Sequence, residues 1–412
     1  MLYIINLVLF NYLLYMTAKS FIFSIIASAL LLIFLYAFRV FEPESLESLN
    51  EQFVRSCIAV FFAFILIISG DIIISEQTKI AKTTFSIFII FLTVPFINVL
   101  YYKIVSAKKI KSKRYLVIGR KSEISHILDE ITRKSKGKYL FTDYINPSPT
   151  LLEQKIAVYD SVLIGNYTLY KNVQDIVEKY KGDKNIEFLS ELSEKVLKRI
   201  PLEVIEAFEE YYELEFEKAK ESPAKRVVDI VGSLLGIIVY SPLILISSIA
   251  ILIEDGFPIV FKQLRIGKDN KEFLLYKIRS MRNHNSGRAK FVGDEKDRIL
   301  KVGKIIRVTR IDESLQFWNI LKGDMSLVGP RPEQVPFARE FEQKIPYYST
   351  RHKLKPGLTG WAQIMYKYSS NLEEVKKKLE YDLYYIKNRT IFLDLRIILQ
   401  TIEVIFWRRG AS

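Results

Sequence analysis

Two adjacent carboxylates, Asp312 and Glu313, stand in a segment that also carries Arg307 and Gln316. Neighbouring side chains point in different directions on a helix, so the two carboxylates do not form a symmetric acid pair. One of them can instead attack a phosphorus atom or bind Mg²⁺ while the other holds the metal or a proton. Carboxylates are hard ligands that suit Mg²⁺, and arginines offer paired donors to phosphate. Taken alone, an Asp-Glu dipeptide is usually solvated surface.

A second motif, Gly329-Pro330-Arg331-Pro332, follows the carboxylates at a short distance along the chain. By itself it is equally typical of a rigid turn, because proline fixes the backbone on both sides of the arginine. The two motifs together indicate a site for phosphate chemistry.

Composition restricts the class of protein that can carry this site. The chain has 412 residues, of which 50% are hydrophobic and 26% charged, with a positive mean hydropathy and a formal net charge of +14. Positive hydropathy in so charged a chain indicates that apolar residues are concentrated in membrane segments. The single Cys57 excludes a disulfide framework and a cysteine zinc site, and three histidines leave little for a His-ligated metal. Small secreted modules, zinc or iron–sulfur enzymes and disordered acidic proteins are excluded.

Residues 1–106 are predicted to form a four-helix transmembrane bundle. Four apolar segments, 2–16, 21–38, 57–74 and 85–105, approach the roughly 20 residues needed to cross a hydrocarbon core of about 30 Å. The first is short, and a cleaved leader is its alternative interpretation, although no basic stretch precedes it and no small-residue cleavage site follows. Because these segments lack a chain of charged residues, we expect an anchor rather than a transport path.

A basic run at residues 108–114 follows the fourth apolar segment. Basic flanks remain on the cytoplasmic side, where anionic headgroups attract them. We therefore expect the cytoplasm to contain both this run and, after four crossings, the N-terminus.

Residues 107–200 are predicted to form a Rossmann-like α/β domain. Apolar runs predict strands at 115–119, 139–145, 161–165 and 186–189, and amphipathic runs predict helices at 123–135 and 173–180. Ser122 is the expected N-cap of the first helix.

The turn after the first predicted strand lacks the G-x-G-x-x-G pattern of a dinucleotide site, since Gly119 is its only glycine. A regulatory or oligomerisation role is therefore expected in place of cofactor binding. Arg120 and Lys121 hold a phosphate in one interpretation and are surface charges in the other. Residues 201–222 are expected to be a linker or interfacial helix.

A further apolar segment, 227–253, contains Ser241 and Pro242 near its centre. Proline removes one helix hydrogen bond and bends the helix, and the serine hydroxyl can bond the freed carbonyl. The segment either crosses the membrane a fifth time or enters and leaves on the cytoplasmic face, and geometry alone does not choose between the two.

A series of motifs runs in order through residues 223–412. In chain order they are Lys225-Arg226-Val227-Val228-Asp229, the Ser241-Pro242 break, residues 256–267, residues 276–281, Arg307 to Glu313, Gly329-Pro330-Arg331-Pro332, residues 355–363, and Asp382-Leu383-Tyr384-Tyr385-Ile386 with Asp394. With these motifs the chain resembles the bacterial sugar transferases, in the long form of the monotopic phosphoglycosyl transferases. The four apolar segments, the Rossmann-like domain and the run Arg199-Ile200-Pro201-Leu202-Glu203 fit the long form as well.

The resemblance implies transfer of a sugar-1-phosphate from a UDP-sugar to polyprenyl phosphate, usually undecaprenyl phosphate, with release of UMP. It implies that Asp312 is the nucleophile of a covalent phosphosugar intermediate, that Glu313 handles metal or proton, and that both serve Mg²⁺. Such a reaction needs cations, because an anionic nucleophile approaches a charged diphosphate. The residues expected to bind phosphate or substrate are Lys277, Arg279, Arg307, Gln316, Arg331, Asp382 and Asp394.

The resemblance also implies a re-entrant helix at 226–254, a catalytic domain at 223–412 on the cytoplasmic face of a bacterial inner membrane, and a homodimer. The expected fold class is thus membrane α plus α/β, with an α+β catalytic domain. The expected role is the first membrane step of exopolysaccharide, capsule or O-antigen assembly.

The sequence departs from the family pattern at Ser314-Leu315, where the family usually has Leu-Pro, and at Arg389-Thr390, where it has an aromatic residue and serine. Both positions adjoin the expected site and bear on specificity. A non-catalytic scaffold for polysaccharide assembly and a membrane nucleotide-sugar dehydratase are the alternatives, the second disfavoured by the missing glycines. Nucleic-acid binding is not expected, because basic residues do not alternate with stacking aromatics.

Overall fold

The computed structural model describes residues 1–18, 20–47, 49–74, 77–107, 112–146, 148–282, 298–366 and 371–406. It is mostly helical, with a small parallel sheet. The described chain divides into two compact units, one formed by the helices of the N-terminal quarter with most of the last helix, the other by the remainder.

The N-terminal quarter folds as helices separated by short turns: α1 (Leu2–Ala18), α2 (Phe21–Ala37), α3 (Pro43–Leu46), α4 (Leu49–Ile74) and α5 (Gln77–Ala107). The apolar faces of the long helices enclose a core that includes Phe10, Leu31, Phe38 and Ile90, all fully buried. The predicted apolar segments are therefore confirmed as helices. Residues 108–111 of the basic run lie outside the described residues.

Among the described residues, three helices are long and apolar enough to cross a membrane by length and composition. Two of these stretches lie in α4 and α5, at Leu49–Gly70 and Ala81–Val105, and the third is Pro223–Asp255. The first two helices of the chain are apolar but shorter. These lengths suit a membrane protein.

The next part of the chain alternates strands with helices, as predicted. Its elements are β1 (Lys113–Ile118), α6 (Lys121–Lys134), β2 (Tyr139–Ile145), α7 (Pro149–Ile156), β3 (Ser161–Ile164), α8 (Tyr167–Lys171), α9 (Gln174–Lys179), β4 (Asn185–Phe188) and α10 (Leu189–Leu197). The strands form a parallel sheet in the order β2-β1-β3-β4. Because helical crossovers cover its faces, the last four residues of β1 and all four residues of β3 are buried.

The predicted cap of helix α6 is wrong. The helix begins at Lys121, so Ser122 lies inside its first turn and Arg120 occupies the N-cap position without a side-chain cap. The chain enters the helix earlier because Arg120 is the last extended residue after β1. Its guanidinium bonds Glu123 instead, at 3.1 Å.

Two short helices, α11 (Leu202–Ala207) and α12 (Glu209–Glu217), occupy the predicted linker. The remaining elements mix helices with short strands: α13 (Pro223–Asp255), β5 (Val260–Ile266), β6 (Glu272–Ile278), α14 (Lys301–Val308), α15 (Gln316–Lys322), β7 (Ser326–Val328), α16 (Val335–Lys344), β8 (Gly357–Thr359), α17 (Trp361–Met365), α18 (Leu372–Asn388) and α19 (Ile391–Phe406). Strands β5 and β6 form an antiparallel hairpin, whereas β7 and β8 pair in parallel. Short 3₁₀ turns lie at Lys268–Asn270, Ile311–Glu313 and Tyr348–Lys353.

The first turns of α13 are fastened to α15 and β7. Lys225 Nζ donates to the carbonyl of Val328 at 3.0 Å, and Asp229 accepts from the backbone N–H of Leu327 at 2.9 Å. Arg226 donates to carbonyls at the end of α15, whose last turn leaves them without helical partners. Gly232 lets the side chain of Leu327 approach, since a Cβ there would meet it at 2.5 Å.

The far end of α13 is fastened to the same part of the molecule. Glu254 accepts from the backbone N–H groups of Lys301 and Val302, at 2.7 and 2.8 Å, and so caps helix α14. Between its two ends α13 presents a mostly exposed apolar surface. Pro242 lies inside this helix and cannot bond the Ile238 carbonyl, which accepts instead from the Ser241 hydroxyl at 2.9 Å, as the sequence predicts.

A buried arginine joins the α/β part to the C-terminal part of the same unit. Arg199 bonds Glu130 of α6 and Glu380 of α18. The backbone N–H of Ile200 donates to the carbonyl of Glu380 at 3.1 Å. The run of residues from 199, which resembles the family phrase, therefore serves to connect these two parts.

Helix α19 packs mainly with the helices of the N-terminal quarter. Leu399 belongs to their core, Gln400 donates to the carbonyl of Ala37 at 2.9 Å, and Arg396 pairs with Glu42. Asp394 is buried in this helix.

Candidate active site

The two adjacent carboxylates lie in a tight turn between α14 and α15. Arg310 adopts a left-handed conformation (φ 58°) that ends α14 and starts the 3₁₀ turn. Ile311, the first residue of that turn, packs in a core with Ile278 and Ile306. Because this anchor residue is buried, the backbone that carries Asp312 and Glu313 is held in place.

Glu313 is buried and surrounded by cations. Its Oε1 atom lies 2.8 Å from Arg331, 3.3 Å from Lys277 Nζ and 3.7 Å from Arg310. Burial by itself would raise the pKa of Glu313, but the charges of Arg331 and Lys277 and then that of Arg310 outweigh it and hold the pKa well below its ordinary value. Glu313 is therefore an anion at every physiological pH.

Asp312 differs from Glu313 both in its contacts and in the direction of its pKa shift. Its Oδ1 atom is buried and has no hydrogen-bond partner among the described residues. Burial, and then the negative charge of Glu313, raise the pKa of Asp312 to about 6, against the opposing effect of Lys277, Arg310 and Arg307. The two neighbouring carboxylates are thus differentiated, one fully ionised and engaged, the other free and titrating near neutrality.

Arg331 reaches Glu313 from a loop that requires glycine at its base. Gly329 directly follows strand β7, and the chain there passes so close to β8 that a Cβ on Gly357 would lie 2.1 Å from the Gly329 nitrogen. A Cβ on Gly360 would likewise meet the Gly329 carbonyl at 2.2 Å. Side chains at these positions would force the two segments apart and displace the arginine.

The carbonyl groups of this loop are hydrogen-bonded in succession. The donors are Lys225 to Val328, the Gly357 N–H to Pro330, Arg351 to Arg331, Arg265 to Pro332 and the Ile266 N–H to Glu333, at distances of 2.9–3.1 Å. Prolines at 330 and 332 offer no N–H, so the loop is stabilised through its carbonyls.

The structure brings together Asp312, Glu313, Lys277, Arg307 and Arg331, as the sequence predicts for a phosphate site. Arg307 acts electrostatically on Asp312 and donates to the sulfur of Met281 at 3.4 Å. Gln316 is buried at the start of α15, immediately after the turn.

Three further predicted residues have other contacts. Arg279 donates to the carbonyls of Asp255 and Gly256, at 3.1 and 2.6 Å, and so closes the end of α13. Asp382 is buried against Arg351 at 2.8 Å. Asp394 lies in α19, in the helical unit. A substrate-binding role for these three stays a prediction.

The sequence shows Arg310 with Arg307 ahead of the carboxylates but gives Arg310 no role, and it predicts no role for Arg265 or Arg351 either. Arg265 lies in a resembling run, but only the fold shows that it donates to the Pro332 carbonyl at 3.0 Å. Arg351 stands in no recognisable motif, and its contact with Arg331 depends on the approach of distant segments.

Among the described residues no group of three or more His, Cys, Asp and Glu gathers as a metal site. A divalent cation would therefore rely on Asp312, whose buried Oδ1 has no partner, because Glu313 Oε1 is already engaged by three cations. Mg²⁺ is commonly held by one or two carboxylates together with substrate phosphates and water. The donor set fits a Mg²⁺ of that kind.

The profile of the family described as Bacterial sugar transferase matches residues 220–408. The "Uncharacterized sugar transferase EpsL" of Bacillus subtilis is 37% identical over 186 residues, which cover 45% of this chain and 89% of that protein. The chain belongs to the bacterial sugar transferase family, which confirms the resemblance.

Two further relatives have more specific names. The "UDP-N-acetylgalactosamine-undecaprenyl-phosphate N-acetylgalactosaminephosphotransferase" of Aeromonas hydrophila is 45% identical over 188 residues, 45% of this chain and 44% of that protein. The "Galactosyl transferase CpsE" of Streptococcus agalactiae is 34% identical over 272 residues, 61% of this chain and 57% of that protein. The match thus spans less than half the length of the Aeromonas relative and somewhat more than half of the streptococcal one.

Proposed function

We propose that the protein is a membrane-bound phosphoglycosyl transferase. It transfers a sugar-1-phosphate from a UDP-sugar to polyprenyl phosphate, in bacteria undecaprenyl phosphate, and releases UMP. The observation that supports this proposal most directly is the difference between two adjacent carboxylates. Asp312 has an unpartnered oxygen and a pKa raised to about 6, whereas Glu313 is an anion paired with three cations. The names of the Aeromonas and streptococcal relatives support a sugar or sugar-phosphate transfer.

The proposed reaction has two displacements at one phosphorus atom. In the first, a carboxylate oxygen of Asp312 bonds to the phosphorus that bears the sugar, and the bond from that phosphorus to the bridging oxygen breaks. UMP leaves with the bridging oxygen. In the second, a phosphate oxygen of the polyprenyl phosphate bonds to the same phosphorus and releases the Asp312 carboxylate. Two steps in one pocket predict ping-pong kinetics.

The surrounding residues favour the first displacement through charge and position. Asp312 is a competent nucleophile at cytoplasmic pH because a pKa near 6 leaves most of it ionised. Lys277, Arg307 and Arg331 stabilise the charge that develops on the transferred phosphate. A bound Mg²⁺ with Asp312 as a protein ligand would neutralise further charge on the diphosphate.

The proposed place of the protein is the inner membrane of a bacterium, with residues 223–390 on the cytoplasmic face, where UDP-sugars are made. The first two helices and α4 and α5 would span the bilayer. The long helix α13 would be re-entrant, because contacts at Lys225 and Asp229 and at Glu254 fasten both of its ends to one compact part of the molecule. A helix that ended on the opposite side of a hydrocarbon core of about 30 Å could not keep both sets of contacts.

The proposed pathway position is the first membrane step of extracellular glycan assembly, and the proposed assembly is a homodimer. Both rest on the resemblance to the family. Light scattering of the purified protein measures the assembly directly.

The decisive experiment incubates purified protein with a panel of UDP-sugars, Mg²⁺ and undecaprenyl phosphate and measures UMP. We expect release with at least one sugar and none from Asp312→Asn. The control Asp269→Asn changes an exposed aspartate in a left-handed turn position that asparagine tolerates, and should remain active.

Mass spectrometry of the wild-type protein with donor alone should show a phosphosugar adduct on Asp312. Product formation without an adduct on that residue would contradict the covalent mechanism. No UMP release with any sugar or acceptor would favour the scaffold alternative.

A further inference from the structure

We propose that Arg351 is a positioning residue, which together with Asp382 holds Arg331 in the place where it meets Glu313 and the transferred phosphate. This inference rests on the proposed function. It assigns to Asp382 a role behind the site in place of the substrate contact that the sequence suggests.

Arg351 is buried and engages three different groups. It donates to the Tyr348 hydroxyl at 2.8 Å, to the backbone carbonyl of Arg331 at 2.9 Å and to the Asp382 carboxylate at 2.8 Å. Asp382, on α18, is only 2% exposed, so its charge is balanced locally by this arginine. The guanidinium thus joins helix α18 to the loop that carries Arg331.

The contact reaches the backbone of Arg331 itself. Proline on each side of this residue restricts the neighbouring backbone angles, and the carbonyls before and after it are bonded to the Gly357 N–H and to Arg265. The carbonyl of Arg331 would be the one unsupported point between them if Arg351 were absent. With its carbonyl held by Arg351, the side chain of Arg331 can meet Glu313 at 2.8 Å without the loop having to become ordered first.

Arg351 fits this role better than lysine would. The planar guanidinium has several donors in fixed directions, so it can bond a carbonyl, a hydroxyl and a carboxylate at once. An ammonium at the same place would satisfy the charge of Asp382 but lose part of this arrangement. A purely structural ion pair would require only the charge.

The test compares Arg351→Lys, Asp382→Asn and Tyr348→Phe with the wild-type enzyme in the UMP assay. We expect kcat/KM to fall by about 10- to 100-fold in Arg351→Lys, a typical effect of misplaced positioning groups. Tyr348→Phe keeps the ring and removes one partner of Arg351, so it should give a smaller fall with the fold preserved.

Two readouts separate positioning from stability. In an Arg331→Lys background, the further change Arg351→Lys should cost much less than it does alone, because both act through one contact. The loss in Arg351→Lys should also fall mainly on kcat, because a displaced Arg331 stabilises the transferred phosphate less in the transition state than in the bound substrate.

Lys387→Met provides the matched control. Lys387 is on the same helix as Asp382, where it forms an ion pair with the buried Glu194 at 2.6 Å and lies over the ring of Tyr212. Lys387→Met should lower thermal stability, leave kcat unchanged and add independently to Arg331→Lys. If Arg351→Lys and Tyr348→Phe behave like this control, the positioning role is wrong. If the wild-type enzyme itself releases no UMP, the proposed function fails instead.

Discussion

The Arg331 guanidinium lies 2.8 Å from Oε1 of Glu313, and Lys277 and Arg310 face the same oxygen atom. The basic groups of the site therefore gather on Glu313 and not on its neighbour Asp312. Asp312, one residue away, keeps an unpartnered oxygen and a raised pKa within a strongly basic pocket. This division leaves one carboxylate available for bond formation.

Asp312→Asn should stabilise the folded protein while abolishing turnover. The pKa of Asp312 is raised from 3.8 to about 6 on folding, so its ionisation opposes folding. The penalty is absent below about pH 4, grows between the two pKa values and is complete above about pH 6. At pH 7.5 we expect a gain of about 1–3 kcal/mol.

Thermal unfolding in detergent at pH 4.5 and pH 7.5 checks this expectation. The gain in stability of Asp312→Asn over the wild type should be smaller at pH 4.5 than at pH 7.5. Equal melting temperatures of variant and wild type at pH 7.5 would show that the carboxylate is not destabilised by its surroundings.

The rate of adduct formation with donor alone should fall as the pH drops below about 6, because Asp312 then becomes protonated. In Glu313→Gln the midpoint of this acid limb should move to lower pH. The variant removes the anion that raises the pKa of Asp312 and leaves Lys277 and Arg310 to stabilise its ionised form. A midpoint that stays in place would show that Glu313 does not set the ionisation of Asp312.

Arg279→Met should mainly lower stability, whereas Lys277→Met should mainly lower activity, although the two residues stand only two positions apart. Loss of Arg279 leaves the carbonyls at the end of α13 without their buried donor, so unfolding should become easier by about 2–4 kcal/mol. Loss of Lys277 should instead reduce kcat/KM with a smaller effect on stability.

Melting temperatures and initial rates for the two variants, taken below their unfolding transitions, separate these effects. A raised KM for the UDP-sugar in Arg279→Met, at unchanged stability, would restore the phosphate-binding role that the sequence suggests.

A cysteine at residue 373 should be protected from a membrane-impermeant maleimide in intact cells and should react after lysis. Glu373 is suitable because its side chain is 78% exposed and pairs with the nearby Lys376 of the same helix. The background would carry Cys57→Ser, which removes the natural exposed thiol. Ser20→Cys, between the first two helices, serves as the control and should react in intact cells. Labelling of residue 373 in intact cells would mean that α13 crosses the membrane.

Local patterns predicted much of the fold. Continuous apolar runs indicated the long helices, and short apolar runs ending in glycine indicated strands β1 and β3. Pro242 and Ser241 predicted a local repair of the helix, which the bond to the Ile238 carbonyl confirms. The start of α6 was misplaced because the N-cap preference of serine was overridden by an earlier entry into the helix.

The candidate site was predictable where motif and position coincide, as at Asp312, Glu313 and Arg331. Residue type alone could not reveal that Arg279 closes a helix or that Asp382 pairs with Arg351, because an isolated Arg or Asp in sequence is equally compatible with substrate contact and with burial. Those contacts join segments far apart along the chain, namely α13 with β6, and α18 with the Tyr348–Lys353 turn.

The hydrogen bonds from the first N–H groups of α14 to Glu254 couple the position of α13 to that of Asp312, because α14 leads within a few residues to Asp312. Helix α13 therefore cannot move along its axis without moving Asp312 as well. In a bilayer, the depth at which this helix settles would set the height of the carboxylate above the lipid headgroups. Changes of bilayer thickness would then change the distance between the Asp312 carboxylate and the phosphate of a lipid acceptor.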